Sequence, residues 1–228
     1  MQGDGLTSSS VAARQSEPDR HNLPSHATPL IGRDRETTDL SALVLSERVV
    51  TLIGSGGVGK TRLAERVAFA VLAHFEGGAW AVDLAPVNDR DGVAAAALGA
   101  VGGVQQPFTP VLDQLVAVLR PESALLVLDN CEHLIEACSQ LVESLLQGCP
   151  QIVVLATSRE PLGVRGEITW RVASLSLPNL DESVSAADYA RFDALLLFWE
   201  RARRARPKIS ITDQRVEASV KICRRLDG

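Results

Sequence analysis

Gly54-Ser55-Gly56-Gly57-Val58-Gly59-Lys60-Thr61 is the segment from which the fold of this chain can be deduced. It matches the pattern G-x-x-x-x-G-K-[ST], in which glycines let backbone N–H groups approach phosphate oxygens closely. The β-branched residues 49–53 before it are typical of a buried strand, and helical periodicity follows over residues 61–74. A helix that begins at such a loop directs the positive end of its dipole at the same anion. The segment therefore predicts a P-loop that binds the phosphates of a nucleotide.

The last two residues of the P-loop have specific chemical roles in this pattern. The ammonium group of Lys60 reaches the β- and γ-phosphates, and the hydroxyl of Thr61 binds Mg²⁺. Lys60 is one of three lysines among 23 basic residues, so its place in the motif is not a result of composition. The predicted nucleotide contacts are Gly54, Ser55, Gly56, Gly57, Val58, Gly59, Lys60, Thr61 and Arg62.

A second motif is the hydrophobic segment 125–128 followed by Asp129. An acid at the carboxyl end of a strand beside a P-loop can hold the Mg²⁺ that Thr61 also binds. Any buried strand can end in aspartate, so the pattern is weak when taken alone. Together with the P-loop it predicts Asp129 as a metal ligand.

The residue that would activate the attacking water remains open at the level of sequence. Asn130 follows Asp129 where many P-loop ATPases have a second acid, and an amide cannot act as a base. Glu132 is the best substitute and the neighbouring His133 is the second candidate. Both residues also fit the polar start of a helix, where an acid complements the dipole.

Arg159 is the remaining candidate for chemistry, because it follows a predicted strand over residues 152–155. An arginine at that edge would lie beside the γ-phosphate, which it could sense or stabilise during transfer. The alternative is a surface arginine that pairs with Glu160 or Glu167. The predicted catalytic set is Lys60, Asp129, Glu132 and Arg159.

The rest of the chain alternates between short apolar strands and amphipathic helices. Continuous apolar strands separated by helices are typical of a parallel sheet that is covered on both faces. The predicted fold is an α/β P-loop NTPase with a doubly wound parallel sheet of about five strands. The predicted domains are a flexible leader (1–27), the P-loop NTPase domain (28–178) and the beginning of a helical subdomain that the chain end truncates (179–228).

Composition places limits on the function. With 228 residues, 46% hydrophobic and 22% charged, the chain can form a packed core, and global disorder is excluded. No apolar stretch reaches the roughly 18 residues that span a bilayer, so we expect no membrane contact and a cytoplasmic location. The formal charge of −5 argues against a polyanion-binding chain. The basic run from Arg201 to Arg206 is therefore expected to be solvated or to contact another domain, without direct DNA binding.

Four segments together resemble a known family: Ile31-Gly32-Arg33, the P-loop, Leu128-Asp129-Asn130-Cys131-Glu132-His133 and Thr157-Ser158-Arg159-Glu160-Pro161-Leu162-Gly163. The resemblance is to the STAND class of signalling ATPases. It is closest to the NB-ARC-like module of large bacterial LuxR-type and antibiotic-regulator-type transcription factors, and it covers residues 23–228.

The resemblance implies a nucleotide switch that rests with ADP and assembles with ATP and Mg²⁺. It implies that Ile31, Gly32 and Arg33 line the adenine and that Arg159 senses the γ-phosphate. The partners would be other domains or copies of a parent regulator, whose DNA-binding domain lies elsewhere in the polypeptide.

Two alternatives to a slowly hydrolysing switch remain. Asn130 and the truncated end favour a nucleotide-binding remnant that acts as a non-catalytic interaction module. A stand-alone ATPase or a small-molecule phosphotransferase would need an acceptor pocket and a lid, and no arginine-rich lid is visible in the sequence.

Overall fold

The computed structural model describes residues 20–179 and 182–226. Five parallel strands form one sheet in the order β2-β3-β4-β1-β5. The strands are β1 Val49–Ile53, β2 Ala79–Asp83, β3 Leu125–Asp129, β4 Val153–Ser158 and β5 Ile168–Arg171. In this order β4 lies between β1 and β3. The P-loop, Asp129 and Arg159 therefore lie together at the carboxyl ends of these three neighbouring strands.

Seven α-helices accompany the sheet in the described part of the chain. They are α1 Asp34–Ser46, α2 Lys60–Val71, α3 Arg90–Ala100, α4 Val111–Leu119, α5 Ile135–Gly148, α6 Asp193–Ala205 and α7 Asp213–Arg225. The predicted α/β fold with a parallel sheet is confirmed. Within the same residues, no helix has both the length and the apolar character that a membrane-spanning helix requires.

The core lies on both faces of the sheet. In β3, Leu125 and Val127 pack with α1 and α2, whereas Leu126 and Leu128 pack with α3, α4 and α5. A strand that is buried on both faces needs apolar side chains at every position, which explains its unbroken apolar sequence. The four cysteines are buried and unpaired, and three of them (Cys131, Cys138 and Cys149) belong to the second of these faces.

The segment before α1 is more ordered than the sequence suggests. The side-chain amide of Asn22 donates to the carbonyl of Ala81 (2.8 Å) and accepts from its N–H (2.6 Å), and Leu23 is buried. His21 forms a parallel bridge with Ala79 on the exposed edge of β2. Residues 20–22 of the predicted leader therefore contact β2 through both backbone and side-chain groups, and the leader itself stays a prediction. Residues 1–19 lie outside the described residues.

α6 and α7 form a separate hydrophobic cluster around Leu195, Trp199 and Val216. The indole N–H of Trp199 donates to the hydroxyl of Ser219 (3.2 Å), which satisfies both buried groups. The predicted domain boundary at 178/179 and the truncation at the chain end remain predictions, since residues 180–181 and 227–228 are outside the described part.

Candidate nucleotide-binding site

The P-loop connects β1 to α2 and has the backbone conformation that its glycines predict. Gly57 (φ 82°) and Gly59 (φ 95°) adopt left-handed conformations, and Gly59 precedes the first residue of α2. No atom lies within 4 Å of a methyl group added at either glycine. The conformation, rather than crowding, therefore requires glycine at these positions.

Lys60 holds its charge inside this loop. Its side chain is buried, and Nζ donates to the carbonyls of Gly54 (3.0 Å) and Ser55 (3.1 Å). A positive charge within a loop of backbone N–H groups, at the start of a helix, is an arrangement that favours an anion.

The two predicted metal ligands are in direct contact. The hydroxyl of Thr61 donates to Oδ1 of Asp129 at 2.7 Å. Thr157, which the sequence analysis did not single out as a functional residue, donates to the same oxygen at 2.6 Å and accepts from the N–H of Asn130 at 3.0 Å. A hydroxyl and a carboxylate are oxygen ligands of the kind that Mg²⁺ requires, so this pair fits the predicted ion.

Glu132 and Arg159, which the sequence analysis treated separately, form an ion pair. Nε of Arg159 donates to Oε1 of Glu132 at 3.1 Å, in place of the alternative partners Glu160 and Glu167. The other oxygen of Glu132 is buried and has no hydrogen-bond partner among the described residues. The guanidinium also lies beside the P-loop, 3.4 Å from the position that a methyl group on Gly56 would occupy. The pair therefore links the predicted base to the predicted phosphate sensor.

His133, the second candidate base, has contacts on both ring nitrogens. Nε2 lies 2.9 Å from the carbonyl of Val87, so this nitrogen donates. Nδ1 lies 3.4 Å from the side-chain amide of Asn130. The imidazole connects the loop after β2 to the turn after β3.

The Ile31-Gly32-Arg33 turn lies at the start of α1. The Arg33 side chain is 4% exposed and donates to Glu36, to the P-loop carbonyl of Val58 and to the carbonyl of Ala173. Gly32 (φ 69°) lies against the Asp193 side chain at the beginning of α6, and Ile31 is half-buried.

Arg62 also contacts protein groups. Its guanidinium donates to the hydroxyl of Thr28 (3.0 Å) and to the Thr28 carbonyl (2.6 Å). The side chains of Arg33 and Arg62 are therefore both used within the protein.

A cavity of about 440 Å³ lies between the P-loop and the two C-terminal helices. One wall is polar backbone and the other is apolar, and burial raises the pKa of the Cys223 thiol in the apolar wall. The lining residues are Ser55, Gly56, Gly57, Val58, Ser174, Ala194, Leu197, Phe198, Cys223 and Leu226. A polar face that could receive phosphates next to an apolar face suits a nucleotide.

Comparisons of sequence identify bacterial relatives, although no protein-family model matches the chain. The chain is 42% identical over 209 residues to an uncharacterized protein of Mycobacterium tuberculosis, covering 92% of this chain and 50% of that protein. It is 46% identical over 189 residues to a candidate HTH-type transcriptional regulator of the same species, and the match covers 83% of this chain and 20% of that regulator. It is 32% identical over 150 residues to the regulatory protein AfsR of Streptomyces griseus, and the match covers 60% of this chain and 15% of AfsR. The chain thus spans half or less of the length of these relatives.

Comparisons of structure identify P-loop ATPases. A STAND protein with a tetratricopeptide repeat sensor from Pyrococcus horikoshii has a TM-score of 0.50 at 16% identity, covering 88% of this chain and 28% of that chain. A Walker-type ATPase of Pyrococcus abyssi has a TM-score of 0.54 at 13% identity, and the match covers 84% of this chain and 63% of that chain. By fold, the chain is a P-loop NTPase module. A STAND protein is among its structural neighbours and transcriptional regulators are among its sequence relatives, which confirms the resemblance deduced from the motifs.

Proposed function

We propose that this chain is the ATP/ADP-binding switch domain of a bacterial transcriptional regulator and that it hydrolyses ATP slowly. The observation that carries the proposal is the convergence of three features at one edge of the sheet. These are the buried Lys60 within the P-loop, the Thr61–Asp129 contact and the Glu132–Arg159 ion pair. Phosphoryl transfer needs positioning and charge stabilisation more than it needs covalent chemistry, and these groups supply both.

In the proposed complex, the P-loop N–H groups and Lys60 bind the phosphates. Thr61 and Asp129 would hold the Mg²⁺, which would supply positive charge to offset that of the phosphates. The adenosine part fits the adjoining cavity, whose lining residues do not include Ile31 or Gly32, so the adenine contacts of these two residues stay predictions. Since the side chain of Arg62 binds Thr28, the contribution of Arg62 to the phosphates would come from its backbone N–H.

The ion pair supports specific roles for the two remaining residues. Arg159 is 67% exposed in its side chain and lies beside Gly56, so it can turn towards a γ-phosphate without unfolding its surroundings. Glu132 would then lose its partner and could accept a proton from the attacking water. His133 is the weaker candidate because both of its ring nitrogens contact protein groups.

The proposed context is regulatory. One relative is described as a candidate HTH-type transcriptional regulator, and this chain covers 20% of its length. We therefore propose that other domains or copies of such a parent are the partners and that DNA binding resides in another domain. A cytoplasmic location follows from this role.

A second candidate is a nucleotide-binding module without catalysis. Asn130 favours it, because an amide stands directly after Asp129 and its backbone adopts a left-handed turn (φ 67°). The two candidates differ in turnover and not in nucleotide affinity.

The first experiment measures thermal unfolding of the chain under three conditions: without ligand, with ADP–Mg²⁺ and with ATP–Mg²⁺. A ligand that binds only the folded state adds about 2.7 kcal/mol to the free energy of unfolding at a hundredfold excess over Kd. We expect nucleotide to raise the unfolding temperature of the wild type and of Lys208→Ala, which changes an exposed lysine outside the P-loop. We expect no such rise for Lys60→Ala. Cooperative unfolding that neither nucleotide shifts would contradict the proposal.

Phosphate release then separates the switch from the non-catalytic module. For the switch, we expect slow release by the wild type and loss of release in Glu132→Gln, with nucleotide binding retained. An absence of release from a wild-type chain that binds ATP would favour the non-catalytic module.

A further inference from the structure

The guanidinium of Arg33 lies at a junction of three segments. Its side chain is 4% exposed, and among the described residues only the carboxylate of Glu36, at 2.7 Å, offsets its charge directly. Nη2 donates to the carbonyls of Val58 (3.2 Å) and Ala173 (2.6 Å). A buried charge is retained at a site when each of its donors has a partner, and here those partners belong to separate parts of the chain.

The two carbonyls lie at or next to residues that line the nucleotide cavity. Val58 is a P-loop residue that lines the cavity. Ala173 follows β5 and precedes Ser174, which also lines the cavity. Arg33 is not among the lining residues, and its guanidinium joins the P-loop to the segment after β5.

The chemistry of this junction requires arginine. A guanidinium has five donors in one plane and can bind a carboxylate and two carbonyls at fixed positions. A lysine ammonium is a single charged centre and would reach fewer of these groups. Three of its hydrogen bonds go to protein oxygens, and Arg33 is not among the residues that line the cavity, so its recorded contacts are with the protein itself.

We infer that Arg33 is a positioning residue that holds the P-loop in its phosphate-binding conformation and takes no part in base recognition. The inference rests on the proposed nucleotide binding. Without Arg33, the Val58 carbonyl and the carboxylate of Glu36 lose their donor, so the loop relaxes. The loop N–H groups then no longer converge, and the affinity for the phosphates of every nucleotide falls by the same factor.

The test compares Arg33→Gln and Arg33→Lys with the wild type in the 228-residue chain. Dissociation constants for ADP and GDP are measured by calorimetry at a temperature at which circular dichroism shows each protein folded. We expect Arg33→Gln to lower the affinity for ADP and the affinity for GDP at least tenfold each, a loss equivalent to about 1.4 kcal/mol. Their ratio should stay within about twofold of the wild-type ratio, and Arg33→Lys should show a smaller loss. The matched control is Arg35→Gln, an exposed arginine two residues along, which should bind as the wild type does.

A second measurement separates positioning from general stability. Hydrogen exchange of the ligand-free proteins should be faster over residues 54–60 in Arg33→Lys than in the wild type, with β3 and β4 unchanged. This readout also applies if Arg33→Gln does not fold.

Three outcomes would overturn the inference. One is a weaker affinity of Arg33→Gln for ADP together with an unchanged affinity for GDP, which identifies a base contact. Another is ADP affinity that stays at the wild-type level in Arg33→Gln, or unchanged exchange over residues 54–60. The third is a folded wild type that binds neither nucleotide, and this outcome alone would also remove the proposed function.

Discussion

At the residue scale, Thr157 shows how a buried hydroxyl can control a metal ligand. Its hydroxyl accepts from the N–H of Asn130 and donates to Oδ1 of Asp129, the same oxygen that accepts from Thr61. A hydroxyl with both a donor and an acceptor partner has little freedom to rotate. Mutation of a partner that orients a metal ligand typically lowers metal affinity or activity by about 10- to 100-fold.

We expect Thr157→Val to raise the Mg²⁺ concentration needed for half-maximal ATP binding by about tenfold, because Asp129 loses a donor that orients it. ADP binding without Mg²⁺ should stay within about twofold of the wild type. Titration of Mg²⁺ against a fluorescent ATP analogue measures the first quantity, and titration with a fluorescent ADP analogue without Mg²⁺ measures the second. Thr157→Ser keeps the hydroxyl and should behave as the wild type, as should Thr169→Val on the exposed face of β5. An equal Mg²⁺ requirement in Thr157→Val would show that Asp129 does not depend on this contact.

The sequence predicts residues whose role is encoded by a local motif, and it fails where a role depends on a distant partner. The Thr61–Asp129 contact follows from two motifs and a parallel sheet. Thr157 was visible only as part of a family string, because nothing in residues 156–159 reveals that its hydroxyl meets a strand end 28 positions earlier. Arg33 shows the same limit, since its acceptor at Ala173 is 140 positions away.

At the scale of elements, the beginning of α6 packs closely against the turn before α1. Gly32 has a φ of 69°, and a methyl group there would overlap the Asp193 side chain. The hydroxyl of Ser176 holds this end of α6, because it accepts from the N–H of Asp193 (2.8 Å) and donates to its carboxylate (2.9 Å). The turn therefore positions the helical cluster as well as the P-loop.

We expect Gly32→Ala to lower the free energy of unfolding by more than Gly166→Ala does. Gly166 has a similar backbone (φ 82°) with no neighbour within 4 Å of an added methyl group, so alanine costs about 1 kcal/mol from conformation alone. At Gly32, the overlap with Asp193 should add about 1 kcal/mol or more. Urea unfolding measures both variants, and combining Gly32→Ala with Asp193→Ala should remove part of the excess. Equal losses in Gly32→Ala and Gly166→Ala would contradict the close contact.

The elements themselves were largely predictable, with limits at their ends. β1 has the predicted bounds, because its apolar run stops at glycine. A strand was predicted over residues 152–155, yet β4 continues to Ser158 because Thr157 and Ser158 are buried although they are polar. The pairing of residues 20–22 with β2 could not be predicted, since it depends on isolated contacts of Arg20, His21 and Asn22 and not on periodicity.

At the scale of the whole molecule, the cavity exists only because the helical cluster lies over the P-loop. Gly56 and Phe198 line the same space, although no local pattern relates them. The position of one packed cluster on another depends on contacts spread over both surfaces. For this reason the sequence predicted the phosphate site and did not predict the apolar wall.

Cys223 reports on this cavity from the α7 side. Burial raises the pKa of its thiol above the ordinary value, so the reactive thiolate is scarcer at neutral pH than in an exposed cysteine. Alkylation of Cys223, followed by mass spectrometry of the α7 peptide, should therefore accelerate by about tenfold per pH unit from pH 7 towards the raised pKa. ADP–Mg²⁺ should slow the reaction in the wild type by filling the cavity, and it should not do so in Lys60→Ala. Cys149, buried under α5 outside this cavity, is the internal control and should show no change specific to ADP. Equal labelling of Cys223 with and without saturating ADP would place the nucleotide outside the cavity, even if the P-loop binds it.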